Sequence, residues 1–172
     1  MPVFFTADTH FGHAGAIGRF RRPFADGADM EAALVARWNG RVGPADEVWH
    51  LGDFALHHGP ERMAAILASL NGRKHLLAGN NDSAATRALS GWADVRDYAE
   101  LVVDDTRLVL GHYAFRTWNG LYKGAWNLHG HSHGQLKGLT RQVDVGVDVW
   151  DFRPVTLAEI KARFGRRLKP AD

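Results

Sequence analysis

Five short segments carry carboxylate, imidazole and amide side chains in an arrangement that could bind metal. They are Asp8-Thr9-His10, Gly52-Asp53, Gly79-Asn80-Asn81-Asp82, Gly111-His112 and Gly130-His131-Ser132-His133, and each follows a short apolar run. Such a donor set, without sulfur, suits a borderline divalent cation such as manganese, iron, zinc or cobalt. The Asp-x-His and His-x-His spacings match the two-residue period of an extended chain, so both members of a pair can point to one side. Histidine is abundant, with ten in 172 residues, and this side chain chiefly serves metals and proton transfer. Singly, each position has a plainer reading. An Asp after a strand caps or turns the chain, and Gly79-Asn80-Asn81-Asp82 alone could be a turn into a helix at Ser83. The conjunction of all five argues for a metal centre.

Positioning these segments needs strands that end together. Val3–Ala7, Glu47–Leu51 and His75–Ala78 read as buried strands, stopping at Asp8, Asp53 and Asn80. Helices are expected between them. Met30, Leu34, Val35 and Trp38 fall at helical spacing before Asn39-Gly40, and Pro60 opens a second stripe of Met63, Ile66, Leu67 and Leu70. Ser83 reads as the N-cap of a short helix through Leu89. This alternation predicts a layered α/β fold, and the carboxyl ends of strands in such folds share one edge. The second half reads mostly as strand. Leu101–Val103 and Arg107–Leu110 flank an Asp104-Asp105 turn, Trp126–Leu128 leads into Gly130, and Val143 to Val149 alternates valine with Asp144, Gly146 and Asp148. Thr156 and Glu159 form a capping box for a last helix.

Composition bounds the rest. With 45% hydrophobic and 23% charged residues, the chain has enough apolar material for a core, and a single domain over residues 1–172 is expected. The formal charge of +2 neither demands nor excludes nucleic acid, and the absence of cysteine removes disulfides, thiolate ligands and a cysteine nucleophile. No apolar run is long enough to cross a membrane and the first residues do not read as a signal peptide, so a cytoplasmic location is expected.

The five motifs, in this order, resemble those of the calcineurin-like metallophosphoesterases, and the resemblance spans nearly the whole chain. It implies a four-layer α/β/β/α sandwich of two mixed sheets, with a two-metal site at one sheet edge. Asp8, His10, Asp53 and His133 would then hold one metal. Asp53 would bridge to a second, completed by Asn80, His112 and His131. The implied cofactors are two divalent ions, manganese first, with iron, zinc, cobalt or nickel as alternatives. Two cations about 3.5–4 Å apart can clamp phosphoryl oxygens and depress the pKa of water held between them. The expected reaction is therefore attack of that hydroxide on phosphorus, in line with the leaving alkoxide.

One motif departs from the pattern. The family usually reads Gly-Asn-His-Asp or Gly-Asn-His-Glu where this chain has Asn81, and that histidine is taken to protonate the leaving group or bind phosphate. An amide donates a hydrogen bond but delivers no proton, so the general-acid role falls open, and His13 is the first substitute, ahead of His57 and His58. Arg19, Arg21, Arg22 and Arg116 follow metal loops, and Arg22 and Arg116 are the expected phosphate-gripping side chains. Trp118, Tyr122 and Trp126 could stack on a nucleobase or simply pack. Asp82 is expected to orient its loop, Asp144 and Asp148 to form the polar face of a strand, and Arg163, Arg166, Arg167 and Lys169 to be a solvated helix end. The expected substrate is a phosphate ester, a phosphodiester ahead of a monoester, including nucleotides and nucleic-acid ends. The alternatives are a non-catalytic scaffold of the same fold and a two-metal hydrolase of another bond.

Overall fold

Along the chain, β1 (Val3–Thr6) precedes α1 (Gly15–Phe20), α2 (Gly27–Asn39), β2 (Glu47–His50), α3 (Pro60–Ser69), β3 (Arg73–Leu77), α4 (Ala84–Arg87) and β4 (Asp94–Arg96). Then come β5 (Tyr98–Val103), β6 (Thr106–Gly111), β7 (Trp126–His129), β8 (Gln142–Asp144), β9 (Val155–Thr156) and α5 (Leu157–Phe164). This computed structural model describes residues 1–165, so the basic residues Arg166, Arg167 and Lys169 lie outside the described residues. No helix among the described residues is long and apolar enough to cross a membrane.

The strands form two mixed sheets. The first runs β4-β3-β2-β1-β9, with β1 to β4 parallel and β9 antiparallel. The second runs β5-β6-β7-β8, with β5 antiparallel to β6 and the rest parallel. Alternation along β1 sends Phe4 to one face of its sheet and Phe5 to the other. Phe4, Val48 and Leu76 meet Met30, Leu34 and Trp38 of α2 and Met63, Ile66 and Leu67 of α3. Phe5, Trp49, Leu51 and Leu77 pack between the sheets against Leu108, Leu110, Leu128 and Val143, with Leu157 and Ile160 of α5 closing one side. The remaining face of the second sheet is covered thinly. There Val109 packs on Trp118 and Ala125, from a loop that contains one 3-10 turn at Leu121–Lys123.

The local signals act as their chemistry requires. The Ser83 hydroxyl accepts from Thr86 N, and Thr156 and Glu159 form a complete capping box. The valine alternation misleads, however. Strand β8 stops at Asp144 and Val147–Val149 forms a 3-10 turn, because the chain leaves the sheet once Gly146 reaches Ala7 in an isolated bridge. Trp118 and Trp126 are buried packing residues, while Tyr122 is 95% exposed on the loop over the second sheet.

Candidate metal centre

Because β1, β2 and β3 are parallel, the loops after them emerge along one edge, carrying Asp8 and His10, then Asp53, then Asn80. Strands β6 and β7, also parallel to each other, bring His112 and then His131 and His133 to the same edge. The side chains gather into two clusters, Asp8 with His10 and His133, and Asp53 with His112 and His131. Within each cluster one ligand atom per residue lies within 4.8 Å of the others.

The backbone achieves this differently from an extended chain. Asp8, His10, Asp53, His131 and His133 all have φ between 46° and 65°, the left-handed region that L residues seldom adopt. The paired side chains converge because two left-handed residues flank Thr9 and two flank Ser132, not because the segments are strands. Each such residue carries strain of order 1 kcal/mol, held by its surroundings. Thr9 turns inward, where its hydroxyl donates to Phe54 O at 2.8 Å and accepts from His50 Nε2 at 2.9 Å. Gly79 is required by proximity, since a Cβ there would collide with the Asp53 carboxylate and lie 2.9 Å from His112 Cε1.

The Asp53 carboxylate stands between the clusters. Its Oδ2 is 3.6 Å from His10 Nε2 and its Oδ1 is 3.6 Å from His112 Nε2. Asn81 holds both oxygens, its backbone N donating to Oδ1 at 2.8 Å and its Nδ2 to Oδ2 at 2.6 Å. Asp82 ties two loops together by accepting from the backbone N of Asp53, Phe54 and Gly79.

The donors fit a cation. His10 Nε2 is buried without a hydrogen-bond partner. His112 Nδ1 sits 2.7 Å from Leu51 O, so that nitrogen carries the hydrogen and Nε2 presents its lone pair. Asn80 Oδ1 lies 3.0 Å from this Nε2, so an imidazole nitrogen and an amide oxygen converge where a cation could take both. Burial, with Asp144 and Asp53 nearby, pushes the Asp8 carboxyl well above its ordinary range. Burial also drives His10 down to about 3, leaving a neutral imidazole. Asp53 goes the other way. Burial would raise it, but hydrogen bonds from Asn81 and the nearby His112 and His10 hold it below the usual value. A crowded Asp8 carboxyl, an Asp53 carboxylate held ionised and a neutral His10 imidazole together make an electrostatic environment that a divalent cation relieves.

A cleft of about 650 Å³ opens over the centre, lined among others by His13, Arg19, Phe20, Asn81 and Gln135. His13 therefore reaches the cleft, with Nδ1 3.5 Å from His10 Nδ1. His58 is turned away and paired with Glu31 at 2.8 Å. Neither expected phosphate-gripping arginine lines the cleft. Arg116 is exposed elsewhere on its loop. Arg22 lies behind the metal loops, its side chain 0% exposed and all its donors committed to Asp148, the carbonyls of Asp8 and Thr9 and Met30 Sδ. Arg19, three residues earlier, is the arginine at the cleft wall.

Asp148 is a further site residue that the sequence pattern hid. Read as the polar face of a strand, it instead accepts from His133 Nδ1 at 2.8 Å. Burial alone would raise its carboxyl, but the hydrogen bonds from His133 and Arg22 keep it below the ordinary range. Asp144 likewise organises the loop, accepting from Gly134 N and Gly146 N. No spacing in the sequence marks either role.

Two groups of carboxylate and imidazole side chains that could each hold a metal ion, with the Asp53 carboxylate between them, lie at the common edge of paired α/β sheets, an arrangement suited to a metal-dependent hydrolase. Residues 1–158 match the calcineurin-like phosphoesterase family, and the chain belongs to it. The gene 66 protein of Mycobacterium phage D29 is 32% identical over an alignment of 179 positions, gaps included, that covers 86% of this chain and 88% of that protein. An uncharacterized protein of Methanocaldococcus jannaschii is 26% identical over an alignment of 163 positions, gaps included, that covers 90% of this chain and 86% of that one. A protein of unknown function from Aquifex aeolicus has the same fold, with a TM-score of 0.76 at 23% identity over 94% of this chain and 98% of that one.

Proposed function

We propose that the chain is a two-metal phosphoesterase that hydrolyses phosphodiesters in preference to monoesters. The observation that carries this reading is the Asp53 carboxylate, with one oxygen 3.6 Å from a nitrogen of each cluster. In this reading Asp8, His10, His133 and Asp53 hold one cation, and Asp53, Asn80, His112 and His131 hold the other. Manganese is the first choice for these oxygen and nitrogen donors. Held by these residues, such cations would supply Lewis-acid polarisation of the phosphoryl group and would ease the ionisation of water near neutral pH.

The remaining chemistry belongs to the side chains. Asn81 Nδ2 and Arg19, both at the cleft, donate hydrogen bonds to phosphoryl oxygens. His13 is the imidazole at the cleft that belongs to neither cluster, and it delivers the proton to the leaving alkoxide. Among the described residues lining the cleft, Arg19 is the only permanent cation. A diester monoanion needs less positive charge than a monoester dianion, which favours the diester. The cleft is wide enough for a nucleotide or a nucleic-acid end, with Phe20 and Arg19 on its wall.

The test is parallel hydrolysis of an aryl phosphodiester and an aryl phosphomonoester by metal-stripped protein reloaded with manganese. Turnover that requires metal, is faster on the diester and falls by at least about 10²–10³ in Asp53→Asn is the expected result. Faster monoester turnover removes the diester preference, and no turnover of either ester removes the enzyme reading.

A further inference from the structure

The buried pair of Arg22 and Asp148 touches the first cluster but is neither a ligand nor a cleft residue. The guanidinium spans both carboxylate oxygens, with Nε 2.8 Å from Oδ1 and Nη2 2.8 Å from Oδ2. The same group donates to Asp8 O at 2.7 Å and Thr9 O at 3.0 Å. Asp148 Oδ2 in turn lies 2.8 Å from His133 Nδ1. One guanidinium therefore fixes the Asp8–His10 loop and, through a single carboxylate, a ligand more than a hundred residues away.

We infer that Asp148, locked by Arg22, is a positioning residue that holds His133 in the tautomer and orientation needed to bind a divalent cation. An ionised carboxylate is an acceptor only, so the shared hydrogen must sit on His133 Nδ1, which leaves Nε2 as the ring nitrogen that can turn a lone pair to a cation. The imidazole is restrained further by stacking. Phe20 lies on it with ring centroids 3.5 Å apart at 10°, and the His10 ring is 5.3 Å away at 28°. A buried ion pair is a weak device for stability, because desolvation offsets much of its attraction. Its place behind a metal ligand gives it a different use.

The inference rests on the two-metal reading, and the two can fail separately. Manganese is titrated by calorimetry into metal-stripped wild type, Asp148→Asn, His133→Ala and the double variant. Asp148→Asn is expected to weaken one of two sites by about 10–100-fold, leave the other unchanged, and add nothing to the loss in His133→Ala. Equal affinity in Asp148→Asn and wild type, or full additivity in the double variant, overturns the positioning role. If Asp148→Asn does not fold, Arg22→Lys tests the same relay, since an ammonium cannot span the contacts of the guanidinium. It should weaken the same site, and unchanged affinity at both sites overturns the inference. A wild type that binds no cation overturns it together with the two-metal reading.

Discussion

The two ligand clusters are built from different parts of the molecule. Asp8 and His10 are 0% and 3% exposed, His133 is tied to Asp148, and a buried guanidinium stands behind all three. In the second cluster, Asp53 and His112 are buried, but His131 and Asn80 are exposed. His112 is oriented by a backbone carbonyl, while the His131 ring has Tyr113, itself 51% exposed, as a neighbour with centroids 4.7 Å apart. The interior therefore holds the first cluster and the cleft edge half-builds the second. A preorganised cluster binds without ordering its side chains, whereas the exposed one must immobilise them on binding. The first is expected to take up cation more tightly.

The sharpest way to break this comparison is to remove one imidazole from each side. His133→Ala should abolish the tighter manganese site, a loss of more than about 100-fold in affinity. His131→Ala should spare that site and weaken the other. Calorimetric titration reads both, and an equal effect of the two substitutions would show that the clusters are not distinct.

A smaller effect is expected at Asn81, which grips the Asp53 carboxylate between the clusters. Asn81→His restores an imidazole at a position lining the cleft, where a general acid contributes about 10²–10⁴. Hydrolysis of alkyl diesters, whose leaving groups need a proton, should rise by up to about 10²-fold, with aryl diesters little changed. Equal change on both substrates would show that an imidazole at position 81 takes no part in protonating the leaving group.

The smallest expected effect concerns how the first cluster's loop is braced. His50 supports Thr9, and burial pushes it down to about 3. Its Nδ1 has no partner, and Trp38, Phe54 and Trp92 surround the ring. In the unfolded chain a histidine titrates near about 6.5. The unfolded state therefore takes up the proton first. The stability this group contributes is whole above that value and is lost as pH falls from there towards 3, at up to about 1.4 kcal/mol per pH unit. His50→Gln keeps a donor for Thr9 but cannot titrate, so urea melts of the metal-free variant should show a shallower acid limb. An unchanged limb would assign the acid sensitivity to other buried histidines, such as His10.

Much of the fold was legible in sequence because its signals are local. Apolar runs ending at Asp8, Asp53 and Asn80 marked parallel strands, and Ser83, Pro60 and Thr156 marked helix starts, because caps and N-terminal prolines act within one turn. Helix α1 and strand β4 went unread. The first is only six residues long with a single buried side chain, Ala16, and the second three residues long with none, so neither leaves a periodic stripe. The seven proposed ligands were legible as residue types, since carboxylate, imidazole and amide after a strand are chemically conspicuous.

What each residue touches was decided by tertiary structure. Arg19, Arg21 and Arg22 are indistinguishable as sequence, yet Arg19 faces the cleft and Arg22 is sealed beneath it. Asp148 sits in a valine alternation and still accepts from His133 Nδ1 on another loop. Left-handed backbone at Asp8, His10, His131 and His133 replaced the extended geometry that their spacing implied. The physical reason is range. Side-chain type and helix or strand propensity are written over a few neighbouring residues. Burial, hydrogen-bond partners and strain are set by groups from 15 to 126 positions apart, which only the packed sheets bring together.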